Sequence, residues 1–215
     1  MSKQKILTYL YFCLLILDLL GVIYPDAVDR TYTTFLPFPA LIVLYFCSVK
    51  KVNWLYVASL LSTFLGIIFF NMETYRKPAL IFYGIGVLIY VIIALKKAGE
   101  IPIRSIFIAA IPFLVIYLVP LFYYYDEVKM EIFNYILFYV FSVGLFFFIS
   151  TLVYTTRQNK PNLWLLSSGI VFVISTTIHG QNLFFGYIMW VRAAVVLTFL
   201  YMHYAMYRYT IANKK

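Results

Sequence analysis

The apolar residues of this chain fall into eight long runs, at 5–24, 31–49, 53–71, 77–95, 102–123, 132–155, 161–184 and 186–209. Short polar breaks separate them: PDAVDR, SVKK, METYRK, KKAGE, YDEVK, TTRQNK and the turn around FFG. About 20 apolar residues are enough for a helix to cross the ~30 Å hydrocarbon core of a bilayer. No water is available there to bond loose backbone groups, so each run is predicted to be a helix and not a strand. The pattern therefore predicts an all-α fold, a polytopic bundle of eight transmembrane helices forming one domain over 1–215. Pro37, Pro39, Pro112 and Pro120 lie inside or at the edges of these runs, where they are expected to kink helices.

Composition sharpens this picture. Charged residues make up 12% of the chain and the mean hydropathy is +0.91, against about 25% charged residues in soluble domains. The net charge of +9 would suggest a nucleic-acid partner in a soluble protein, but its distribution points elsewhere. With eight spans, Arg30, Arg76, Lys77 and Lys129 fall on one side and Arg192 inside a span. The other twelve of the seventeen basic residues share the opposite side. Asp26, Asp29, Glu73, Asp126, Glu127 and Glu131 lie on the side poor in basic residues. The positive-inside rule then places both termini in the cytoplasm of a multi-pass protein of the cell membrane, with membrane lipid as its partner and no nucleic acid. MSKQK precedes the first run without a small-residue cleavage site, so that run is read as a retained span. Cys13 and Cys47 lie inside predicted spans and form neither a ligand set nor a disulfide framework.

Candidate chemistry sits at membrane depth. Asp18 lies six residues before the outer end of the first span, and Arg192 six residues into the last. Both are therefore about 9 Å below the outer boundary. Asp18 is the only carboxylate within any run, and Arg192 the only guanidinium away from the basic-rich run ends that hold Arg104 and Arg208; a lone guanidinium at membrane depth costs roughly 2.5–3.5 kcal/mol. An Asp18–Arg192 bridge is the expectation, either as a clasp between first and last helices or as part of a site. On the seventh span Ser168, Ser175, His179 and Asn182 share one helical face, flanked by Thr176 and Gln181. Serines of this kind also serve as glue between membrane helices.

A pocket is thus expected in the external half of the bundle, lined by spans one, three, seven and eight. Asp18 and His179 are the candidate catalytic groups; Arg192, Asn182, Asn71, Ser175 and Thr176 are the candidate substrate contacts. His203, about 16 Å closer to the cytoplasm, is a weaker candidate. Two histidines without a carboxylate pair make a poor metal site, and neither a metal nor another cofactor is expected. HExxH and GxSxG signatures are absent. Tyr123, Tyr124, Tyr125, Tyr201, Tyr204, Tyr207 and Tyr209 read as interfacial anchors.

The layout resembles the YhhN family of lysoplasmalogenase-like membrane proteins, which have eight spans and cytoplasmic ends. Its Lys-Pro stretch falls on Leu36-Pro37, and its Gly-Asp on Gly66-Ile67 within SLLSTFLGIIFF. Its His-x-x-Tyr falls on Val87 and Tyr90 at the end of YGIGVLIY. Its Gly, Phe and Ser-Asp positions of span seven fall on Gly169, Phe172, Ser175 and Thr176. Apolar and small positions persist, while Leu36, Ile67, Val87 and Thr176 replace a lysine, an acid, a histidine and an acid. The resemblance implies hydrolysis of the vinyl-ether bond of a lysolipid by an enzyme that protonates the alkene before water attacks. The residues themselves leave two other classes open: a non-enzymatic protein binding or transporting a lipid or small anion, and a structural membrane subunit.

Overall fold

In the computed structural model, residues 2–72, 76–128 and 130–212 are described; Glu73, Lys129, Lys214 and Lys215, used above to weigh the two sides, lie outside them. The elements run in the order α1 (Lys3–Ile23), α2 (Arg30–Thr33), α3 (Pro37–Ser48), α4 (Trp54–Asn71) and α5 (Arg76–Leu95). They continue with α6 (Ile103–Tyr124), a 3-10 turn (Tyr125–Glu127), α7 (Met130–Thr156), α8 (Lys160–Phe184) and α9 (Met189–Ala212). No strand occurs among the described residues. Eight stretches are long and apolar enough to cross a membrane, with α2 and α3 together forming the second.

The polar breaks supply the helix starts. Ser2, Asn53 and Asn159 each accept a backbone N–H from the first turn of α1, α4 and α8. An N-terminal turn otherwise leaves those donors without partners. The second apolar run is not one continuous helix. Residues 34–36 form a turn between α2 and α3. Pro37 and Pro39 have no N–H to continue the ladder, so α3 starts afresh at Pro37. That interruption turns the hydroxyls of Thr33 and Thr34 toward α1.

Small and hydroxylated side chains join the helices. Ser59 and Ser62 of α4 donate to the carbonyls of Gly86 and Phe82 of α5 at 2.6 and 2.7 Å. Ser168 and Ser175 of α8 donate to Met202 and Val195 of α9 at 2.9 and 3.5 Å. Dispersion and short polar bonds hold membrane helices together, because lipid tails remove most of the hydrophobic drive between them. α1 and α9 run antiparallel: Gln4 donates to Tyr207 at 3.1 Å, and the Tyr11 hydroxyl to the Leu200 carbonyl at 2.7 Å. α6 turns an apolar face outward, with Ile103, Phe107, Ile111, Val115, Val119 and Phe122 all exposed.

Tyrosine fills much of the interior. Tyr11, Tyr45, Tyr56, Tyr90, Tyr207 and Tyr209 are fully buried. This corrects the expectation for Tyr204, Tyr207 and Tyr209, which lie inside the bundle and not at its surface. Their rings pack on other aromatics, as in the stacked Tyr11–Tyr204 pair at 5.8 Å. Tyr123 and Tyr125 are exposed.

Candidate functional site

Asp18 is 3% exposed, and its partner is Arg30 rather than Arg192. Arg30 Nε donates to Asp18 Oδ1 at 3.0 Å and Nη2 to Oδ2 at 3.4 Å. The hydroxyls of Thr33 and Thr34 add bonds to Oδ1 at 3.2 and 3.1 Å. The local sequence explains why Arg30 reaches so deep. Asp29 caps α2 by accepting the Thr31 N–H at 2.8 Å, which directs the next residue back over α1. Gly21, one turn after Asp18, leaves room for the arginine stem; a Cβ there would lie 2.6 Å from Arg30 Cγ. Asp18 is thus neutralised by a nearby residue that the positive-inside count had assigned to a loop. Both oxygens of this buried carboxylate are thus engaged, by two guanidinium nitrogens and two hydroxyls.

Arg192 is left without that partner. It lies on the first turn of α9, and its guanidinium makes no hydrogen bond or ion pair with any described residue. Only its backbone N–H is engaged, with the Ile188 carbonyl. The side chain lines a cavity of about 90 Å³ together with Asp18, Arg30, Asn71, Tyr83, Tyr139, Ser175, Thr176 and His179. Phe38, Ile67, Phe70, Phe199 and Leu200 complete the wall. Six of the seven residues singled out in the sequence therefore meet at one cavity, along with Arg30, Tyr83 and Tyr139, which were not singled out.

The seventh, Asn182, stands apart. Its side chain accepts the Ile188 N–H at 2.9 Å and donates to the Ile188 carbonyl at 3.1 Å, bracing the turn between α8 and α9. Other candidates combine lining with support. Ser175 bonds the α9 backbone, and the Thr176 hydroxyl lies 3.2 Å from that of Tyr139. Asn71 donates back to the Ile67 carbonyl at 2.8 Å. The His179 ring lies 5.5 Å from that of Phe70, and its buried Nδ1 has no hydrogen-bond partner. His203 sits behind the cavity wall, with Nδ1 2.9 Å from the Tyr90 hydroxyl and its ring edge-on to Phe38 and Phe199.

Tyr83 is the residue sequence reasoning missed most plainly. Its ring lies against Gly66, where a Cβ would come within 2.7 Å of it. The glycine was visible in the sequence, but not what crosses it. At Ile67 and Thr176, where the YhhN pattern has acids, the cavity wall holds a methyl-rich side chain and a hydroxyl.

The resulting electrostatics are simple. Among the described residues, Asp18 and Arg30 cancel, Arg192 contributes one uncompensated positive charge, and the remaining polar groups are hydroxyls, an amide and an imidazole. Such a cavity can hold an anion through a planar, forked set of N–H donors. Among the described residues there is no group of three or more His, Cys, Asp or Glu that could hold a metal ion. The fold and cavity define a helical bundle of membrane type with an internal cationic site. No family model matches the chain, and neither a curated protein nor a solved structure matches it.

Proposed function

We propose that this is a multi-pass membrane protein that binds an anionic group, either a lipid headgroup or a small organic anion, at Arg192. One observation carries the reading: a guanidinium within a membrane-type helix that faces a polar cavity and has no hydrogen-bond or ion-pair partner among the described residues. A charge at that depth is costly, and proteins keep such residues for ions, substrates or counter-ions. Asn71, Tyr83 and Thr176 supply neutral hydrogen-bonding groups around it, and the apolar wall strengthens any charge interaction inside.

The YhhN resemblance gives a second reading, hydrolysis of a lysolipid vinyl ether, with Asp18 as acid and His179 as its companion. That chemistry needs a carboxylic acid carrying its proton. Asp18 is committed to Arg30, and the register of the resemblance supplies no acid at Ile67 or Thr176. Binding is therefore the reading the geometry favours.

The test is ligand retention by the purified protein. Native mass spectrometry in mild detergent should find an anionic ligand on the unaltered protein, and on Arg192→Lys at lower occupancy. Arg192→Gln should carry none while melting at or above the ligand-free unaltered protein. Equal retention by Arg192→Gln would end the proposal.

A further inference from the structure

A second cavity, of about 120 Å³, lies beside the first between α6, α7 and α8. Phe70, Tyr83, Tyr139, Thr176 and His179 line both, so these five side chains form a wall common to the two spaces. They differ sharply in character. Away from that wall the second space is lined by Val140, Val143, Phe147, Val173 and other mostly apolar side chains, with no charged residue among the described ones.

We propose that the bound anion is the head of a single-chain amphiphile with one negative charge, a long-chain carboxylate being the simplest case, and that its hydrocarbon chain occupies this second cavity. The proposal rests on the anion site at Arg192 and adds the class of ligand. Charge complementarity fixes the head. One unpaired guanidinium balances one negative charge, whereas a phosphate monoester, at about −1.5 to −2, would leave charge uncompensated at membrane depth. A carboxylate also matches the forked guanidinium donors in plane. Among the described residues the cavity holds no second carboxylate to receive a cationic headgroup, and Asp18 is already paired with Arg30.

Geometry fixes the tail. From Tyr139 at the common wall to Phe147, the cavity follows α7 for eight residues, about 12 Å. That is close to the ~15 Å depth of one leaflet. A space of about 120 Å³ has no room for two chains side by side. In the other direction the space reaches Tyr125 and Val128 at the end of the bundle, which gives the ligand a way in.

The experiment is competition for labelled hexadecanoate on the full-length protein in phosphatidylcholine nanodiscs. Unlabelled hexadecanoate should displace the label at least tenfold better than hexadecanol, acetate or two-chain phosphatidylglycerol. A single-chain phosphodiester lipid in the series tells a carboxylate head from a phosphodiester head of the same charge; strong displacement by it supports the proposal with that head. Val140→Trp, which blocks the bore, should weaken hexadecanoate at least tenfold, and Arg192→Gln should abolish binding. Should phosphatidylglycerol or acetate compete as well as hexadecanoate, the single-chain proposal is overturned while the anion site stands. Should hexadecanol compete equally, or Arg192→Gln bind normally, the anion reading fails with it. If Val140→Trp does not fold, the competitor series on the unaltered protein decides alone.

Discussion

Arg30 Nε and Asp18 Oδ1 meet at 3.0 Å, joining two residues that a straight-helix reading of the sequence would place on opposite sides of a membrane boundary. Breaking a buried pair by removing one partner costs about 3–5 kcal/mol. The Arg30 side chain is a quarter exposed, which moves the expected loss to the low end of that range. Asp18→Asn and Arg30→Gln should each lower thermal stability, and the double variant should lose less than the sum of the two. Strictly additive losses in detergent melts would show that the two groups do not act as a pair.

Arg192 should behave in the opposite way. Its guanidinium has no partner among the described residues, so Arg192→Gln removes a cost of up to roughly 2.5–3.5 kcal/mol instead of a bond. In ligand-free protein the variant should melt at or above the parent temperature. A drop like that of Arg30→Gln would place a hidden partner on Arg192.

Gly66 sets the position of Tyr83. A methyl group there would lie 2.7 Å from the ring, and overpacking of this kind costs about 1–3 kcal/mol. Gly66→Ala should push the ring into the cavity and weaken anion binding, whereas Gly66→Ala combined with Tyr83→Leu should restore part of the affinity. Unchanged binding in the single variant would remove Tyr83 from the wall of the site.

One prediction concerns pH. Hydrogen bonds from the Thr31 side chain and backbone hold the Asp29 carboxyl below its ordinary value of 3.8. A depressed carboxylate contributes stability above its unfolded pKa and loses it as pH falls through the folded value. Asp29→Ala should therefore melt below the parent near neutral pH, with the gap closing below about pH 4. A gap independent of pH would mean that the cap does not act through its charge.

Orientation is open to reporter fusions. The basic residues favour a cytoplasmic location for the breaks at Lys51, Lys97 and Lys160, and the opposite location for the one at Arg30. A cytoplasmic signal after Arg30, or an external one after Lys97, would reverse this.

The eight spans were legible because apolar length is a one-dimensional property: a run either reaches about 20 residues or it does not. Most of the cavity was legible for a related reason, since polar groups at membrane depth are scarce and tend to gather. The ion pair was not legible. Counting depth along straight rods put Arg30 in a loop, whereas the Asp29 cap, the small Gly21 and the proline-broken second run fold it back onto α1. Asn182 was assigned to the right helix face, but it ends so near the turn that the backbone of Ile188 claims it. The buried tyrosines were hidden by composition, because a ring that anchors at an interface and one that packs in a core look alike in sequence.

With an anion held at Arg192, as proposed, the protein's cohesion becomes a matter of supply. A species that binds the folded bundle and not the unfolded chain adds RT ln(1 + [L]/Kd) to its stability, about 2.7 kcal/mol at a hundredfold excess over Kd. If Arg192 takes its counter-charge from the membrane, the durability of this bundle varies with what its host lipids contain. Extraction into a detergent lacking that anion then removes a component of the folded state.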